Sequence, residues 1–307
     1  MIEELDSTQL HFDKDGLFLL NLTLAIIMFG VALSLRFQDF KYVLESPKSF
    51  FIGLASQFIL LPLLTLLLIL VIQPSPSVAL GMFLVAACPG GNISNFLTLL
   101  AKGNTALSVS LTAFSTCFSI ILTPLNFSFW SGFYSPGAQL LQEISLDYMD
   151  VFKTVAMILG IPLIVGMFIN HRWPLIAKKI SSILKPISIA IFVLFIVIAF
   201  YANYDHFLQF ILLIFFWVFL HNFLGLIGGF LLAKLSGSNE EDTKTITIET
   251  GIQNSGLALV LIFTYFDGLG GMAIIAGWWG IWHIISGLSV AFAWKMAGQK
   301  KKVKLPV

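Results

Sequence analysis

Two short stretches of this chain carry the groups that could do chemistry. One is Cys88-Pro89-Gly90-Gly91-Asn92-Ile93-Ser94-Asn95 and the other is Glu249-Thr250-Gly251-Ile252-Gln253-Asn254-Ser255-Gly256. Each interrupts a long apolar run. Proline has no N–H and paired glycines favour non-helical backbone, so Pro89-Gly90-Gly91 predicts a helix broken at that point. The second stretch is too polar for an ordinary lipid-facing helix and predicts an unwound segment as well. Glu249 is the one acidic residue inside an apolar run, the others falling in loops, tails or run edges. An intramembrane carboxylate needs a cation, a proton or a polar cavity to be tolerable. Gln253 follows at i+4 on the same helix face, and Asn254 and Ser255 add oxygens at the break. Ser108 and Thr112, also at i and i+4, put two hydroxyls on one face of another run. Oxygen-rich groups, one carboxylate and unwound carbonyls describe a site for a small hard monovalent cation such as Na⁺. The alternatives are a proton carried by Glu249, and a neutral glutamic acid that only bonds a neighbouring helix.

Other chemistry finds less footing. The histidines, His11, His171, His206, His221 and His283, are scattered, and Cys88 and Cys117 are far apart inside apolar runs, so neither a soft-metal site nor a disulfide framework is expected. Ser255 with His283 is the only conceivable hydrolytic pairing, and nothing in its spacing supports an enzyme. Gln57 near Pro62 and the pair His221-Asn222 read as packing residues that sometimes serve as ligands. Ser115, Cys117 and Ser119 read as packing.

The elements that must position these groups are membrane helices. Hydrophobic residues make up 58% of the 307 and charged ones only 11%, with a mean hydropathy of +0.93. Soluble domains are far less apolar, and no hydrophilic stretch is long enough for a nucleotide- or nucleic-acid-binding module. Apolar runs at 17–35, 50–72, 78–100, 105–128, 151–170, 187–202, 208–233, 245–266 and 272–294 predict an all-α membrane protein of nine transmembrane helices. Alternate connections hold 15 of the 17 Lys and Arg residues, from Arg36 to the tail Lys300, Lys301, Lys302 and Lys304. By the positive-inside rule this places the N-terminus outside and the C-terminus in the cytoplasm of an inner or plasma membrane. Residues 138–149 and 174–185 read as interfacial helices before the fifth and sixth spans. The basic tail suits anionic lipid.

The two broken spans are third and eighth, so they cross in opposite directions. That is the pattern of an inverted repeat, with the midplane site at the paired interruptions. The expected organisation is an extracytoplasmic segment 1–16, a four-helix repeat 17–128 lacking its first helix, a connector 129–150, a five-helix repeat 151–294 and a cytoplasmic tail 295–307. A half-helix N-terminus near Asn92 at membrane depth favours an anionic group, so an organic anion moving with Na⁺ is the natural cargo. Nothing points to nucleic acid or to an obligate protein partner.

The two stretches, with Gly103-Asn104-Thr105-Ala106-Leu107-Ser108-Val109, Met28-Phe29-Gly30, Gln57-Phe58, His221-Asn222 and Trp282-His283, resemble the bile acid:sodium symporter family, from residue 17 onward. The resemblance implies a panel domain (first, fifth and sixth spans) and a core domain (the rest) in which the broken helices cross. It implies two coupling Na⁺ ions. One would use Ser94, Asn95, Ser108, Thr112 and Glu249; the other Gln57, Glu249, Gln253 and the backbone carbonyls of Thr250 and Ile252. Asn92, Asn254 and His283 would face the substrate. It also implies uptake of a bile-acid-like or small carboxylate anion by alternating access. Bacterial members often have a tenth, leading helix, a Thr-Ala pair where Asn92-Ile93 stands, and an asparagine where Ile284 stands.

Overall fold

The structure, a computed structural model, describes residues 47–144 and 156–303 except 203, together with residues 6, 22, 25, 26, 28–36, 149 and 153. Most of the segment 1–16, residues 17–21, 23, 24 and 27 of the run 17–35, residues 145–148 with Tyr148, most of 150–155 at the start of the fifth run and the tail from 304 lie outside the described residues.

Everything described is helix and connecting loop. Helix α1 (Pro47–Ala55), a π turn at Ser56–Leu60 and α2 (Leu61–Ile72) make one continuous apolar rod. Pro62 cannot donate to the helical ladder, and Leu61 N–H reaches back five residues to Ser56 O. Ser56 and Gln57, neighbours in this wider turn, are both buried.

Helices α3 (Pro76–Ala87) and α4 (Ile93–Leu100) are the two halves of the third run, and α10 (Glu240–Gly251) and α11 (Ser255–Tyr265) the two halves of the eighth. Between them lie α5 (Thr105–Ser131), α6 (Ser135–Glu143), a second π turn at Ala156–Gly160 leading into α7 (Ile161–Arg172), α8 (Pro174–Ala202) and α9 (Tyr204–Leu235). Helix α12 (Gly270–Val303) closes the chain. Among the described residues, Pro47–Ile72, Thr105–Ser131, Ile214–Leu235 and Gly270–Ala297 are each long and apolar enough to cross a membrane. Helices α3 and α11 are apolar but shorter, as halves of broken spans must be.

The core forms where α3, α9, α11 and α12 meet, with Trp279, Phe83, Met82 and Ile262 fully enclosed. Helix α3 is buried on all sides from Ser77 to Ala87. Gly81 permits this, because a Cβ there would lie 2.7 Å from the Cα of Met272 on α12. At the start of α3, Ser77 N–H donates to Oδ1 of Asp6 at 2.7 Å, and Tyr134 Oη donates to Pro74 O at 3.0 Å. Burial, aided by the Asp6 carboxylate, pushes the Tyr134 phenol above its usual range.

Both predicted breaks are present, and each completes the other. Gly91 N–H donates to Ile252 O and Asn254 N–H donates to Pro89 O, both at 2.9 Å. Gly90 and Gln253 thereby form an isolated antiparallel pair. Backbone groups released by the two interruptions could not be left facing hydrocarbon, and here they satisfy one another.

Two expectations are corrected. Residues 174–185 are not a separate helix ahead of the sixth span: α8 runs unbroken from Pro174 to Ala202 through Pro186. Apolar residues continue along one side of both pieces, so nothing stops the helix at the join. Nor is Glu249 the only buried carboxylate. Asp242, which the apolar runs leave outside the eighth span, is 4% exposed, because α10 starts at Glu240, before that run does.

Candidate functional site

Glu249 stands on the last turn of α10, immediately before the break, and is 3% exposed. Its Oε1 accepts from Ser94 Oγ at 2.6 Å, from Ser108 Oγ, and from Thr112 Oγ1 at 3.3 Å. Thr112 Oγ1 also lies 3.1 Å from Oε2. Oδ1 of Asn95 accepts from Ser108 Oγ at 2.9 Å and lies 3.4 Å from Thr112 Oγ1. Ser94, Asn95, Ser108, Thr112 and Glu249, drawn from α4, α5 and α10, are thus one cluster of oxygen atoms. Local structure explains each position. Asn104 caps α5 by accepting from Leu107 N–H, and a helix begun there carries Ser108 and Thr112 on one face. The Pro89-Gly90-Gly91 break restarts the chain as α4, and Ser94 and Asn95 lie in its first turn.

A second group also borders Gly90. Gln57 Nε2 donates to Gln253 Oε1 at 2.6 Å and to Cys88 O at 3.1 Å. Gln253 Nε2 in turn donates to Thr250 O at 2.8 Å. Beside it Ser56 and Thr250 share a hydroxyl–hydroxyl bond of 2.6 Å. The carbonyls of Thr250 and Ile252 therefore each accept one hydrogen bond already, from Gln253 and from Gly91. A carbonyl oxygen has two lone pairs, so one hydrogen bond does not saturate it. Glu249 joins the groups: a Cβ on Gly90 would meet Glu249 Oε2 at 2.9 Å, Ser115 Oγ at 3.8 Å and Gln57 Oε1 at 3.9 Å.

Asn92 and Asn254 occupy equivalent places, each at the N-cap position of the half-helix that follows its break. Asn254 Oδ1 accepts from Leu257 N–H at 3.1 Å, whereas Asn92 makes no such cap bond. His283 lies on α12, 6% exposed, and its Nδ1 finds no hydrogen-bond partner in the described chain. No hydrogen bond among the described residues joins Asn92, Asn254 and His283. His221 Nε2 meets Thr65 Oγ1 at 2.6 Å and Asn222 Nδ2 donates to Gly251 O at 2.7 Å at the end of α10, while His221 Nδ1 and Asn222 Oδ1 find no partner among the described residues.

Three further residues lie in or near these surroundings. Ser115 bonds its own backbone at Thr112 O, as a packing serine does, yet its hydroxyl also borders the space over Gly90. Ser56, buried at the start of the π turn, bonds Thr250 beside the second group. Asp242, the third residue after the N-cap Asn239, lies outside the cluster around Glu249.

Comparison with known proteins decides what this crossing belongs to. The family described as the sodium bile acid symporter family matches residues 21–210. The chain belongs to that family. Relatives of this symporter include an uncharacterized sodium-dependent transporter, YocS, of Bacillus subtilis, 36% identical over 280 residues that cover 91% of this chain and 84% of the relative. The sodium-dependent organic anion transporter of Bos taurus is 28% identical over 288 residues, covering 92% of this chain and 74% of its own. The ileal sodium/bile acid cotransporter of Oryctolagus cuniculus is 29% identical over 250 residues, 81% of this chain and 70% of its own. As a member of this family the chain is a membrane transporter and not an enzyme.

Proposed function

We propose that the protein is a sodium-coupled secondary transporter that imports an organic anion, bile-acid-like or a small carboxylate, by alternating access. The observation that carries the reading is the Glu249 carboxyl group, buried at the crossing and ringed by Ser94, Asn95, Ser108 and Thr112 oxygens. Such a shell of hard oxygens matches what Na⁺ requires. Two ions share Glu249 in this scheme, the first in that ring and the second toward Gln57, Gln253 and the carbonyl oxygens of Thr250 and Ile252. The relatives named above are described as sodium-dependent or as sodium cotransporters, which supports Na⁺ as the driving ion. Proton coupling through Glu249 gains no such support.

In the proposed cycle Na⁺ neutralises Glu249 and fixes the crossing, the anion binds beside it near Asn92, Asn254 and His283, and a core of six spans shifts against a panel of three. Nine crossings put the N-terminus outside and the lysine-rich tail in the cytoplasm. Each Na⁺ entering draws about 2.3 kcal/mol per 100 mV from the membrane potential, and two ions with one monoanion carry net charge inward. The test is uptake into proteoliposomes of steroid conjugates, hydroxy acids and keto acids under an inward Na⁺ gradient and under an equal K⁺ gradient. Uptake of one class with Na⁺ alone is the expected result. Uptake that follows a pH gradient in Na⁺-free buffer would overturn the coupling.

A further inference from the structure

We infer that Asp242 and Asn104 act as a register lock that positions the sodium site from two helical turns away. Asp242 is a buried carboxyl group outside that site, and its bonds tie together the ends of three helices. Its Oδ2 accepts from Ser49 Oγ on α1 at 2.6 Å and from Asn239 Nδ2 at 3.1 Å. Its Oδ1 accepts from Asn104 Nδ2, at the cap of α5, at 2.7 Å. Asn104 is held a second time, its N–H donating to Thr245 Oγ1 at 2.8 Å. Thr245 Oγ1 sits 2.9 Å from Glu241 O and 3.2 Å from Asn104 O. Gly103 makes the approach possible, because a Cβ there would lie 2.9 Å from both Thr245 Oγ1 and Thr98 Cγ2.

The spacing turns this tie into a positioning device. On α10, Asp242, Thr245 or Ile246, and Glu249 follow one another at three- and four-residue steps, so Asp242 and Glu249 share a face. On α5, Asn104, Ser108 and Thr112 do the same at four-residue steps. Asp242 bonds Asn104, and two turns further on Glu249 bonds Ser108 and Thr112. A slip of one residue between α5 and α10 would break both ends together. The lower contact is made wholly of protein groups and needs no ion, so it holds α10 at the depth and rotation at which Glu249 meets the α5 hydroxyls. Asp242 does not touch the proposed ions.

The inference rests on the sodium reading above, and one experiment separates the two. Melting of the purified protein is titrated with NaCl against KCl at constant ionic strength, giving a half-saturating Na⁺ concentration for each variant. Asp242→Ala and Asn104→Ala should each raise that concentration about tenfold, as loss of a group supporting an ion's ligands does. The double variant should rise no further than the larger single one, because both remove the same link. Asp242→Asn, which can still accept from Asn104, should stay within about twofold of the wild type. Should Asp242→Ala fail to fold, Asn104→Ala with Asp242→Asn carries the same comparison. A lower melting temperature in Asn104→Ala with unchanged half-saturating Na⁺ would make the tie a helix cap and overturn the inference alone. A wild type that melts identically in Na⁺ and K⁺ would remove the sodium reading and this inference with it.

Discussion

The Oε2 oxygen of Glu249 lies 2.9 Å from the point where a Cβ on Gly90 would stand. The carboxyl group of one broken helix thus fills the place a side chain would take on the other. Glycine is required at this position for the closeness of that approach, since no positive φ is recorded for Gly90.

Replacing Gly90 by alanine should therefore displace the carboxyl group rather than the backbone, because the clashing atom is the far end of a flexible side chain. Gly90→Ala should keep its Na⁺-free melting temperature within a few degrees and lose about tenfold or more in apparent Na⁺ affinity. Na⁺ titration of uptake and of melting checks both halves of the statement.

Glu249→Gln keeps an oxygen to accept from Ser94, Ser108 and Thr112 while removing the charge. A buried charge contributes little or negatively to stability when its ligand is absent. The variant should melt no lower than wild type in KCl, lose the Na⁺-induced rise in melting temperature and fail to accumulate anion. Retained Na⁺-driven uptake would exclude Glu249 as the shared ligand.

Gln57 bridges Gln253 and the end of α3 at Cys88 O. Gln57→Leu should remove the second ion position while leaving the ring of Ser94, Asn95, Ser108 and Thr112 intact. Na⁺ dependence of uptake should then change from a Hill coefficient approaching two to about one. Membrane-potential-driven current per anion should fall in the same variant.

Gly81 gives the contrasting case, far from any proposed ligand. Its Cβ would press on backbone, the Cα of Met272 at 2.7 Å and its carbonyl oxygen at 3.1 Å. Gly81→Ala should destabilise by about 1–3 kcal/mol, the usual penalty for overpacking a dense core. The surviving folded protein should keep its half-saturating Na⁺ concentration, read from uptake below the melting transition.

Removing Na⁺ from the wild type is the simplest perturbation. A ligand that binds only the folded state stabilises it by about 2.7 kcal/mol at one hundred times its dissociation constant. Melting should rise with NaCl and not with KCl, and a transported anion should add a further rise only when Na⁺ is present. Equal rises in the two salts would mark a general ionic effect.

Composition and local pattern suffice to read long apolar helices in this chain and to place breaks in two of them. Proline and paired glycines act on the backbone locally, so Pro89-Gly90-Gly91 announces its break without reference to neighbours, and Glu249 stands out because a carboxyl group in an apolar run is exceptional. Helix-period spacing likewise put Ser108 and Thr112 on one face before any contact was known.

Tertiary structure alone decided what those local features add up to. Pro89 O and Asn254 N–H become partners across a separation in sequence that no periodicity reports. The depth of Asp242 was hidden because burial depends on which helix ends converge on it, and composition read along a single run cannot show that. The π turn at Ser56–Leu60 sets the rotation of α2 relative to α1, since one extra residue in a turn rotates everything after it. The oxygens around Glu249 come from segments far apart in the chain. Their type was written in the sequence, but their common position was set by the packing of α4, α5 and α10.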